Sequence, residues 1–121
     1  MGFIRHDAIV VTSWSDADIE AAHARALTCF EETCAEVTNI TGAAMNGYRS
    51  FLVAPDGSKE GWTDSDDAED AREDFVAWLQ EDGPLVSYIE VRFGGDEPDE
   101  ASVRRPHDGD FTRVPHPQET P

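Results

Sequence analysis

The apolar positions of this chain repeat with two periods, one near two residues and one near 3.6, and the changes between them mark its elements. Ala8-Ile9-Val10-Val11, inside His6 to Ser13, is a β-branched run of the kind found in a central strand covered on at least one face. Ser15 with Asp18 three residues on is a capping-box pattern, and Asp16 and Asp18 suit the positive end of a helix dipole. A helix is predicted from about Asp16 to Val37, with Ile19, Ala22, Ala26, Leu27, Phe30, Cys34 and Val37 as its apolar stripe. Thr38 to Gly47 is a loop of turn-prone residues. Gly47 to Ala54 reads as a second strand, ended by Pro55-Asp56-Gly57, where Pro presets φ and Gly accepts a positive one. Ser58 to Trp62 can return as a short third strand. A second helix is predicted from about Asp66 to Glu81, with Thr63 and Ser65 as candidate caps and Asp82-Gly83-Pro84 as its stop. Its core stripe is Ala68, Ala71, Phe75, Trp78 and Leu79. The last strand, Leu85 to Phe93, sets Ser87, Ile89, Val91 and Phe93 on a buried face against Val86, Tyr88, Glu90 and Arg92 on a more polar one.

The order β-α-β-β-α-β is that of the ferredoxin-like sandwich, an α+β fold with two helices on one face of a four-stranded antiparallel sheet. If Ser58 to Trp62 is loop, the alternative is a three-stranded sheet with the same helices. The other face stays open and is expected to carry Tyr48, Ser50, Leu52, Tyr88, Glu90 and Arg92, with Tyr48 and Tyr88 as candidate docking residues. From Gly94 onward the composition changes: this stretch holds five of the seven prolines and only Val103, Phe111 and Val114 as large apolar residues. Such a segment cannot offset its ordering entropy by burial. The α+β domain is therefore expected over residues 1–94 and an acidic, Pro-rich, disordered tail over 95–121.

Charge narrows the class of partner. The chain has 26 Asp and Glu against 9 Lys and Arg in 121 residues, a formal charge of −17, and its one lysine is Lys59. That balance repels nucleic acid and acidic membranes and attracts cationic surfaces within a Debye length of about 8 Å. No apolar run approaches the roughly 20 residues that span a bilayer, and the N-terminus lacks the apolar stretch of a signal peptide, so a cytoplasmic location is expected. Cys29 and Cys34 fall on the first predicted helix, about 140° apart, which excludes a disulfide between them.

Two patterns bear on function. Asp56, Ser58, Glu60, Asp64 and Asp67 occupy positions 1, 3, 5, 9 and 12 of a loop with Gly61 at position 6, close to the calcium-binding EF-hand pattern. It departs from that pattern in the shorter Asp67, the bulky Glu60 and the strand that precedes it. The second pattern is the acidic side of the second helix, where Asp66, Glu69, Asp70, Glu73, Asp74 and Glu81 lie opposite the core stripe and, with Asp56, Glu60, Asp64 and Asp67, make a concentrated patch offered as a partner-binding surface. Between Asp56 and Asp74 there are nine acids against Lys59 and Arg72, a net of −7. Carboxylates four apart on a helix advance about 6 Å, comparable with two phosphate steps of about 3.4 Å, so the patch can imitate a DNA backbone. A salt-adapted surface is the alternative. His6, His23, His107 and His116 suggest no triad, and the carboxylates lack the apolar pocket that separates catalytic pKa values.

At Asn46 to Trp62 (NGYRSFLVAPDGSKEGW) and His6 to Trp14 (HDAIVVTSW), the chain resembles small acidic proteins encoded by tailed phages and prophages. The likeness covers roughly residues 6 to 94. It implies an accessory gene of a mobile element, a setting in which small acidic proteins bind and block host factors, including DNA-binding defence machinery. It carries no assigned activity and no catalytic residues.

Overall fold

The structure, a computed structural model, describes residues 5–59, 61–95 and 100–115. Its elements are β1 (His6–Ser13), α1 (Asp16–Phe30), a 3-10 turn (Met45–Gly47), β2 (Arg49–Val53), α2 (Thr63–Glu81), β3 (Ser87–Phe93), β4 (Ala101–Arg104) and β5 (Thr112–Val114). The strands form one antiparallel sheet in the order β2-β1-β3-β4-β5. The β-branched run of β1 lies inside it, with Ile9 and Val11 fully buried beneath the helices. The core is built there from Ile19, Ala22, Ala26 and Phe30 of α1, Phe51 and Val53 of β2, and Phe75, Val76 and Leu79 of α2.

The α+β class holds, while the strand count and order differ from the ferredoxin-like expectation. The described residues of 58–62 lie in loop and turn, so the hairpin return is missing and Trp62, with no side-chain cap bond, precedes α2. The sheet grows at its other side. β4 and β5 come from the stretch expected to be a disordered tail, and they extend the sheet from β3. Backbone pairing and ion pairs, rather than apolar burial, order residues 100–115; residues 96–99 and 116–121 lie outside the described part.

Helix α1 is shorter than its apolar stripe suggested. Ser15 caps it as expected, accepting from the Asp18 amide at 3.3 Å. It stops at Phe30, where Glu31 and Glu32 meet the negative end of the dipole and the Thr33 hydroxyl donates to the Phe30 carbonyl at 2.9 Å. Cys29 is thus half-buried on the helix and Cys34 exposed beyond it, both as free thiols. Val37 instead bridges to Val53. The Thr38 amide donates to Leu52 and the Thr41 amide to Ser50, both at 2.9 Å, so this segment covers the outer edge of β2.

The two sheet faces correct the largest expectation. In register, Ile9 faces Glu90 and Val53, and Val11 faces Tyr88 and Phe51. Tyr88, Glu90 and Arg92 therefore lie on the helix-covered face, while Ile89, Val91 and Phe93 lie on the open one. Ser50 and Leu52 are on the open face as expected, and Tyr48 is exposed just before β2. Tyr88 is 9% exposed and is no docking residue on that face.

Helix α2 ends at a close approach. A Cβ at Gly83 would stand 2.1 Å from the Leu79 carbonyl oxygen, so any side chain there must displace the backbone where it leaves the helix.

Candidate partner-binding surface and charged cleft

Periodicity alone decides which side of α2 meets solvent. Ala68, Ala71, Phe75, Val76 and Leu79 are buried, and Asp64, Asp66, Asp67, Glu69, Asp70, Glu73 and Asp74 are all exposed. Asp64 and Asp66 favour the first turn. The rest of the arrangement works against the helix. Asp66 and Asp70, Asp70 and Asp74, and Glu69 and Glu73 are like charges four apart, each pair costing about 0.2–0.5 kcal/mol. Glu81 and Asp82 add negative charge at the wrong end of the dipole, with no basic residue in the last turn.

The one cation of α2 does not relieve this. Arg72 comes four residues after Ala68 and three before Phe75, which places it on the core side, and it is only 8% exposed. Its Nη2 lies 3.7 Å from Asp7 and its Nη1 3.8 Å from Asp56. Nη1 is buried and has no hydrogen-bond partner. The exposed side of α2 is therefore carboxylate without a cation of its own.

Behind α2 the charges are paired. On the covered face, Arg92 Nε donates to Asp7 Oδ1 at 2.7 Å. Arg104 of β4 donates from Nε and Nη2 to the two oxygens of Glu90 at 2.8 and 2.9 Å. Phe111, from the β4–β5 connection, faces both guanidiniums, at 4.0 Å from Arg92 and 4.6 Å from Arg104. These groups line a polar cleft of about 240 Å³ beside Glu69 and Glu73. The Glu90 hydrogen bonds hold Arg104 more firmly protonated than usual, outweighing burial. Burial pushes the Tyr88 phenol up, although Gln80 Nε2 donates to its oxygen at 2.7 Å. Burial likewise raises the Cys29 thiol against the opposing pull of Arg25, which disfavours a reactive thiolate. His23 is a boundary residue: Nε2 donates to the Thr38 carbonyl at 2.9 Å and the ring meets Phe51 edge-on.

The donors of the calcium pattern sit apart in character. The Asp56 side chain is buried, faces Arg72 and accepts a hydrogen bond from the Ser58 hydroxyl. Asp64 and Asp67 stand exposed in the first turns of α2, and Glu60 lies outside the described residues. Among the described residues no three His, Cys, Asp or Glu side chains are gathered where they could hold a metal ion. No local pattern signals the Glu90–Arg104 and Asp7–Arg92 pairs, which need register. Arg72, counted with the acidic stretch on sequence alone, falls within the apolar stripe, and that spacing is the signal that places it inward.

No protein-family model matches the chain, and no curated protein matches it. No described helix is long and apolar enough to cross a membrane.

Proposed function

We propose that this chain is a non-enzymatic interaction protein whose α2 carboxylates occupy a basic, nucleic-acid-binding site on a host protein, as expected of a phage-borne inhibitor. The observation that carries this reading is the inward turn of Arg72. The only cation on α2 is spent on Asp7 and Asp56, and the seven exposed acids from Asp64 to Asp74 are left uncompensated on their own helix. A helix that bears such repulsion gains free energy when a basic groove neutralises it, and opposite potentials raise the association rate. The spacing of these acids suits a groove shaped for phosphates.

The test replaces Asp66, Asp70, Glu73 and Asp74 with Asn or Gln. Partners captured from host lysate by the parent protein are expected to be basic, to be released by duplex DNA and by salt, and to be lost from the variant while its circular dichroism is unchanged. Equal capture by the variant, or capture indifferent to DNA, refutes the reading.

A further inference from the structure

We infer that the open face of the sheet is a self-association surface, on which a second copy of this chain packs sheet against sheet. The register defines three apolar rows. Val10 lies between Leu52 and Ile89, Val91 lies between Ala8 and Val103, and Ala101 lies between Phe93 and Val114. Val10, Phe93 and Val114 are 37%, 43% and 41% exposed. The remaining strand positions on this face are His6, Thr12, Ser50, Ser87 and Thr112. Among the described residues of the five strands, not one Asp, Glu, Lys or Arg falls on it, in a chain that is 29% charged.

Two considerations select a second copy as the occupant. Each copy carries −17, and approach through α2 would set carboxylates against carboxylates, whereas the open faces meet without a charge between them. Size is the other. Strand lengths, with about 3.4 Å rise and 4.8 Å spacing, give a sheet plane on the order of 450 Å² per copy. Two such faces, with their side-chain relief, bury about 1,000 Å² in total, the size of a weak, concentration-dependent dimer interface. A contiguous uncharged face of this size is comparable with the largest patches of monomeric proteins, which are often functional. Two open sheets stack about 10 Å apart in aligned packing, and the helices then lie on the two outer sides.

This interface has the opposite salt response to the acidic one. Screening weakens the repulsion between two like-charged copies, so added salt tightens the pair, while it loosens binding of α2 to a basic groove. The measurement is sedimentation velocity with light scattering on the full chain, from about 1 to about 100 μM, at about 0.05 and about 0.5 M NaCl. A dimer is expected, with a dissociation constant several-fold lower at the higher salt. Val10→Lys and Val114→Glu should each weaken it at least about tenfold, and Leu27→Lys, on exposed α1, should leave it unchanged. Val114 lies on a three-residue edge strand that tolerates substitution, so it carries the test if Val10→Lys unfolds. A monomer at both salts throughout the range, a dimer indifferent to the folded open-face variants, or one that Leu27→Lys disrupts overturns the inference.

Discussion

The two faces of this sheet reverse the usual division between inside and outside. Under the helices, the β1–β2 half is apolar, with Ile9, Val11, Phe51 and Val53 in the core, but the β3–β4 half is ionic, with Glu90, Arg92 and Arg104. On the open face the same β3 presents Ile89, Val91 and Phe93. Burial on the ionic half is held by directed bonds, which fail when one partner is lost; the open face, being apolar and only partly exposed, tolerates exchange of one side chain for another of similar size.

The largest loss is expected at Arg104. Glu90 is 3% exposed and takes both its hydrogen bonds to a side chain from Arg104. Arg104→Ala should therefore cost about 3–5 kcal/mol in urea unfolding, and removing residues 96–121 should cost at least as much. Glu90→Leu placed on Arg104→Ala should recover much of the loss, since no charge is then stranded. On the open side of the same strand, Val91→Thr should cost about 1 kcal/mol or less by the same measurement. Equal losses at the two sites would erase the distinction between the faces.

Gly83→Ala tests how α2 is held over the covered face. With Leu79 oxygen 2.1 Å from the new Cβ, the exit from α2 must shift, at about 1–3 kcal/mol by thermal or urea melting. The open face should keep its ability to self-associate at temperatures where this variant stays folded.

Tyr88 gives the covered face a pH dependence that the open face lacks a phenol to share. Its phenol is raised by burial, so in the unfolded chain it loses its proton at a lower pH than in the folded one. The stability this contributes is fully present below about pH 10 and is lost as pH rises through the folded value. Tyr88→Phe should flatten the decline of stability above that pH, after a constant loss of about 1 kcal/mol for the Gln80 hydrogen bond. A pH profile identical to the parent's would mean that the phenol does not titrate with unfolding.

The smallest effect belongs to the exposed acids. Asp70→Asn with Asp74→Asn removes like-charge neighbours, and the melting temperature should rise slightly at low salt, by the equivalent of about 0.5 kcal/mol, and converge with the parent's at high salt. A fall in stability would show that these carboxylates are structural rather than presented.

Local patterns were read correctly where one element contains its own explanation. The Ser15 cap, the start of α1, β1 and β2, and the outward side of α2 follow from spacing and capping chemistry within a few residues. Arg72 could have been placed by the same rule. Element ends fared differently: α1 stops at Phe30 despite apolar Cys34 and Val37 beyond it.

Propensity, period and charge are properties of neighbouring residues, and they suffice for an α+β chain with two amphipathic helices and one acid-rich helix face. Which side of β3 lies under the helices was decided only in the tertiary structure. Alternation specifies two faces but does not say which is inward when one is apolar and the other can pair every charge it buries. Register with β1 puts Glu90 inward, and Arg104, brought from fourteen residues away by β4, makes that placement tolerable.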